Sequence, residues 1–270
     1  MAAFDAARGC YVVRVVYDGP GMAGKTTNLQ KICEIVPATR RSEMVTPAEL
    51  KGRTMFFDWL EVDGPRKAPA PFKLQLISVP GQIERNYRRR PLVMKADVVV
   101  FVCDSAPDKI PETMRAFARL RASIKQRKVP VPLVVQVNKQ DVEGALDPDR
   151  MRRRLKLDAA VPALPACASQ NQGVKETLAT ATRHALRVLG SRDLEPLIAE
   201  LANPDALFDH VLTFEDKPHE GPVDAEELYV DLEDVDTEGA AAAAHLVAST
   251  LDDLEARARR GARKRERGAT

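Results

Sequence analysis

The run GPGMAGKTT at residues 19–27 places Gly19, Gly24, Lys25 and Thr26 in the spacing G-x-x-x-x-G-K-[ST]. Such a loop wraps a polyphosphate with successive backbone N–H groups at the head of a helix, where the helix dipole also favours negative charge. Glycines let the backbone approach the phosphates and turn with no Cβ in the way. On this reading Gly21, Met22, Ala23 and Thr27 complete the loop, Lys25 reaches the β- and γ-phosphates, and the Thr26 hydroxyl ligates Mg²⁺. The alternative is a glycine-rich turn before an ordinary helix. Two flanks argue against it: CYVVRVVY, residues 10–17, reads as a buried strand, and residues 26–35 read as a helix.

Three further stretches suit the same chemistry. Asn138, Lys139 and Asp141 form N-K-x-D after the apolar run VPLVVQV. The Asp carboxylate of such a motif accepts from the two N–H groups on guanine's edge, which adenine does not offer. The Lys stem covers the base and Asn ties this loop to the phosphate loop, so the expected ligand is GTP or GDP. Cys167, Ala168 and Ser169 lie where a last base-contacting loop belongs, with backbone N–H groups meeting the guanine oxygen. In SVPGQ, Gly81 N–H would sense the γ-phosphate and Gln82 would orient the attacking water. Ser78 stands where that sensor ordinarily has an acidic residue. A hydroxyl holds the water shell of Mg²⁺ more weakly than a carboxylate, which shifts weight onto Thr26 and Thr54 as metal ligands. Arg53, beside Thr54, is either a solvated loop charge or a cation set on the charge developing between the β- and γ-phosphates.

These loops need a scaffold that brings strand ends together. Through about residue 190, apolar runs alternate with helical patterns, which predicts an α/β fold with a mostly parallel sheet and helices on both faces. Strands are expected at 54–62, 72–79, 97–103, 131–137 and 165–168, the first two joined by a hairpin connection through DGPRKAPAP. Helices are expected at 111–128 and 173–189. DVVVFVC and VPLVVQV are almost wholly apolar, as central parallel strands are.

Charge divides the chain. Residues 1–190 hold 32 Lys/Arg and 19 Asp/Glu, a net +13; residues 191–256 hold 2 and 19, or −17; residues 257–270 hold 7 and 1, or +6. This implies a basic domain over 1–190, a short helical extension over 191–213 with a helix at 194–201, an acidic flexible linker over 214–239, and a helix with a basic tail over 240–270. The tail could meet a polar scaffold protein, an anionic membrane surface or nucleic acid. No apolar run approaches the roughly 18 residues of a membrane helix. MAAFDAARG shows no secretory segment and no glycine for myristoylation, and RGAT is not a prenylation box, so a cytoplasmic protein is expected. Cys10, Cys33, Cys103 and Cys167 are scattered through apolar segments and read as buried free thiols.

Taken together, GPGMAGKTTNLQ, RTMFFDWL, SVPGQ, VVVFVCDS and VVQVNKQD, in this order, resemble the MglA family, bacterial Ras-like GTPases of cell polarity and gliding motility. The resemblance covers roughly residues 10–190. It implies a Ras-like P-loop GTPase fold, a GTP-dependent switch with slow intrinsic hydrolysis and Mg²⁺ as cofactor, recruitment to a cell pole, and a Roadblock-type activating partner. The family likewise has a small residue before V-P-G-Q and carries Arg-Thr before F-F-D, which implies that Arg53 is an arginine finger in cis. The chain departs from the family in IERNYRRR, residues 83–90, where relatives show an aromatic pair and fewer arginines. The functional alternative is a non-hydrolysing scaffold that binds nucleotide and acts through its charged arm.

Overall fold

The computed structural model describes residues 3–6, 8–45, 49–50, 53–54, 57–64, 71–79, 86–189, 195–204 and 207. The expected acidic linker and basic-tailed helix lie outside the described residues. Strands are β1 (Ala3–Asp5), β2 (Cys10–Asp18), β3 (Glu49–Leu50), β4 (Arg53–Thr54), β5 (Asp58–Asp63), β6 (Phe72–Ser78), β7 (Val98–Asp104), β8 (Leu133–Asn138) and β9 (Ala163–Pro165). Helices are α1 (Lys25–Ile35), α2 (Asn86–Lys95), α3 (Ile110–Lys125), α4 (Pro148–Leu155), α5 (Val174–Leu189) and α6 (Glu195–Glu200).

The main sheet runs β5-β6-β2-β7-β8-β9. From β6 to β9 its pairings are parallel; β5 joins β6 antiparallel, with Asp58 opposite Ser78. β1 pairs antiparallel with the start of β2, Ala3 facing Val12, while β7 takes up β2 only from Val15 onward. Parallel strands covered on both faces must be apolar on both, and β7 is buried at every residue. Two cores follow. One lies under α1, α5 and α6 and includes Leu29, Ile32, Leu178, Ile198 and Leu201. The other lies under α2, α3 and α4 and includes Leu92, Phe117, Leu120, Met151 and Leu155.

Two strand expectations are corrected. The run expected as one strand over 54–62 is two: Thr54 belongs to a separate ribbon in which Leu50 faces Arg53, and β5 starts at Asp58. The strand expected at 165–168 is β9, which pairs Ala163 to Pro165 with Val135 to Val137; Ala168–Gln170 then turns as a 3₁₀ helix. β1, α2 and α4 are additional to the sequence reading. All four cysteines are free, Cys33 half-buried and the others buried. Among the described residues no helix is long and apolar enough to cross a membrane.

Candidate nucleotide-binding site

In an open parallel sheet the strand carboxyl ends form the ligand crevice, and the phosphate loop, the loop of Asn138 and the loop of Ala168 meet there. The phosphate loop leaves β2 after Asp18 and enters α1 at Lys25. Two of its glycines are enforced by contact. A Cβ on Gly19 would lie 2.3 Å from the Val102 carbonyl oxygen, and one on Gly24, whose φ is +100°, would lie 2.3 Å from Asn138 Nδ2. Gly24 has no side chain to cap α1, so the amides of the first turn face the loop. Ala23 is buried and Met22 projects outward at 88% exposure. Lys25 is buried and its Nζ donates to the carbonyls of Gly19 (3.2 Å) and Pro20 (2.6 Å). Burial lowers its pKa to about 8, with Asp18 and Asp58 pulling the other way.

Asn138 is the clasp of the site. Its Nδ2 donates to Ala23 O (2.7 Å) in the phosphate loop, and its Oδ1 accepts from Ala168 N (2.8 Å) in the expected base loop. One buried amide thus fixes three segments that are far apart in sequence. Lys139, at φ +65°, turns its Nζ onto Asp104 Oδ2 at 2.6 Å, which sets its stem along the crevice. Asp141 is exposed. Cys167 and Ala168 are buried and Ser169 is exposed; Cys167 Sγ lies 3.3 Å from Ser169 Oγ.

At the phosphate end the Thr26 hydroxyl donates to Asp58 Oδ2 at 2.5 Å. Asp58 is the first residue of β5 and sits directly across from buried Ser78. A carboxylate therefore stands beside the hydroxyl expected to ligate Mg²⁺, delivered from the neighbouring strand. A hydroxyl and a carboxylate are oxygen donors of the kind a hard cation such as Mg²⁺ takes. Thr54 and Arg53 lie on the β3–β4 ribbon; Gly81 and Gln82 lie outside the described residues.

The model of the ADP-ribosylation factor family matches residues 8–185. Mutual gliding-motility protein MglA of Myxococcus xanthus (strain DK1622) is 31% identical over 179 residues, covering 65% of this chain and 91% of that protein. The chain belongs to this family: it is an MglA-like small GTPase of the Ras superfamily. The GTPase binds guanine nucleotide, hydrolyses GTP and acts as a GTP-dependent switch. The solved Arl6 (BBS3) small GTPase of Trypanosoma brucei, with the bound nucleotide analogue GppNp, is 20% identical and covers 65% of this chain and 98% of that one at a TM-score of 0.49.

Several residues that organise the GTPase site escaped sequence reasoning. Asp58 looks like one polar position in an alternating strand, and only the β5–β6 register brings it to Thr26. Asp104 orients Lys139 from the end of β7. Ser105 donates to Asn138 O at 2.5 Å and accepts from Gln140 Nε2 at 3.0 Å, bracing the loop that holds Asp141. Asp18 and Arg89 are a fourth pair of this kind, joined at 2.6 Å below the phosphate loop.

Proposed function

We propose that this GTPase switch controls cell polarity, gliding or pilus-based motility, and that an activating partner of the Roadblock type turns it off at a cell pole. The reading is supported by its similarity to the gliding-motility protein of Myxococcus xanthus along most of that protein's length. The observation that carries the nucleotide chemistry is the Asn138 clasp, which joins the phosphate loop to the base loop. Within it, Gly19, Gly21, Met22, Ala23, Gly24, Lys25, Thr26 and Thr27 bind the phosphates. Asn138, Lys139, Asp141, Cys167, Ala168 and Ser169 take the guanine.

Thr26 and Thr54 would hold Mg²⁺, with Asp58 beside Thr26 offering the carboxylate that Ser78 does not. A bound cation would supply neutralisation of the phosphate charge. Gly81 registers the γ-phosphate, Gln82 orients the attacking water, and Arg53 acts in cis on the charge that develops toward the leaving phosphate. The domain over 1–190 contains all of these residues, and the extension over 191–270 serves interaction.

The test is a GTP turnover assay on the purified chain, with and without a Roadblock-type protein, paired with two variants. Gln82→Leu and Arg53→Ala retain GTP binding and slow hydrolysis. An arginine finger contributes roughly 10³-fold or more in related chemistry. Wild-type rates in Arg53→Ala would return that residue to the role of a solvated loop charge.

A further inference from the structure

Asp18 is the last residue of β2 and immediately precedes the phosphate loop. Its side chain is wholly buried. Oδ1 accepts from the Gly19 amide at 2.6 Å, and Oδ2 accepts from both Nε (2.8 Å) and Nη2 (2.6 Å) of Arg89. Arg89 lies in the first turns of α2, is 4% exposed, and also donates through Nη2 to Ala116 O in α3 at 3.3 Å. Burial pushes the Asp18 carboxyl upward, and the groups that pull it back are Arg89 first and Lys25 second. A carboxylate thus sits under a loop whose purpose is to hold phosphate, beside the lysine that serves the same purpose. That placement is unfavourable to an anionic ligand unless the carboxylate is neutralised, and the strongest neutralising group comes from another element.

We infer that Asp18 and Arg89 form a latch that couples the docking of α2 to the affinity of the phosphate loop. With α2 docked, the guanidinium cancels the Asp18 charge and the loop presents Lys25 and its amides to phosphate. With α2 displaced, Asp18 keeps only the Gly19 amide and the charge of Lys25 as counterweights, and the carboxylate beneath the loop repels the phosphates. Reciprocity follows from linkage: bound phosphate favours the docked helix by the same factor that docking favours phosphate. Anything that pulls on α2 then loosens nucleotide, which gives an exchange-promoting partner a physical handle on this chain. The inference does not depend on the roles proposed for Gln82 or Arg53, because its readout is nucleotide release rather than hydrolysis.

A double-mutant cycle on the full chain tests it, read by release of a fluorescent GDP analogue and by hydrogen exchange of the α2 amides. Arg89→Met is expected to speed release by about tenfold or more, since it removes the strongest counter-charge of Asp18. Asp18→Asn is expected to release nucleotide no faster than the unaltered chain, while its α2 amides exchange faster. Asp18→Asn with Arg89→Met is expected to recover slow release and keep fast α2 exchange. A packing role alone would leave the double variant as fast in release as Arg89→Met, and that result overturns the inference. Wild-type release from Arg89→Met overturns it as well. Should Arg89→Met not fold, Arg89→Lys keeps the charge and loses the two-nitrogen grip; faster α2 exchange accompanied by faster release supports the latch, and release that stays slow, whether or not α2 exchange quickens, overturns it.

Discussion

Asp58 and Ser78 face each other across β5 and β6 beside Thr26. Ser78 is fully packed at the end of β6 and its hydroxyl is a weak partner for a cation's water shell, yet the residue opposite it in the antiparallel β5 is a carboxylate 2.5 Å from the Thr26 hydroxyl. If Asp58 supplies the missing charge, Asp58→Asn requires more Mg²⁺ to slow GDP release, and Ser78→Asp added to it restores the original Mg²⁺ dependence. An unchanged Mg²⁺ titration in Asp58→Asn would leave the metal to Thr26 and Thr54 alone. Lys25 gives a second residue-scale prediction, in pH. Burial lowers it to about 8, and a polyphosphate beside it favours the ammonium, so the bound pKa is the higher of the two. Affinity is therefore flat below about pH 8 and falls by up to about tenfold per unit above it, with proton uptake on binding. Calorimetry near pH 9 in two buffers of different ionisation heat measures that uptake; zero uptake would refute the assignment.

Elements were legible in the sequence to the extent that burial left a pattern. β7 and β8 are mostly apolar because both faces are covered, with Gln136 the buried polar residue inside β8, and Gly19 and Gly24 of the phosphate loop are held to glycine by close contacts. α2 was not legible: NYRRRPLVMK has arginines on successive residues and Pro91 inside the helix, so no apolar stripe shows. Its burial is carried by Leu92 and Val93 and by Arg89, whose charge is satisfied by a residue 71 positions away. α4 offers only Met151 and Leu155 to the core, one helical turn apart. The end of β9 was misplaced because ALPAC could begin pairing at several residues, and only the register with β8 decides. Asn28 belongs at this scale too. It exchanges hydrogen bonds with Gln136 (2.8 and 2.9 Å), which also donates to Thr177 Oγ1 at 3.0 Å, so α1, β8 and α5 share one buried polar network. Asn28→Ala leaves Gln136 with an unmatched buried acceptor and is expected to cost about 2 kcal/mol in denaturant unfolding. A loss no larger than that of an exposed alanine substitution would show the network to be dispensable.

At the scale of the whole molecule, the +13 of residues 1–190 is not spread evenly. The sequences of α2, α3 and α4, on one face of the sheet, contain twelve Lys/Arg and two Asp/Glu. Those of α1, α5 and α6, on the other, contain five and four. One side of the domain is thus a strongly positive layer, and residues 191–256 of the same chain carry −17. Attraction between such charges is screened over roughly 8 Å at physiological salt, so its effect is expected at low salt. Among the described residues, Ile198, Leu201 and Leu207 are the last buried ones, and all precede residue 215. Deleting residues 215–270 is therefore expected to leave GTP binding and the unfolding midpoint unchanged. The shortened chain has 33 Lys/Arg against 24 Asp/Glu, so its net charge rises from +2 to +9. Although the basic tip is lost with the deletion, most of the acidic residues that follow residue 190 go with it. The shortened chain is expected to bind vesicles rich in anionic lipid more tightly than the full chain does at low salt, with the difference vanishing as salt is raised. Equal binding by both chains would show that residues 214–239 do not screen the layer. Loss of GTP binding on truncation would instead make the extension part of the nucleotide domain's fold.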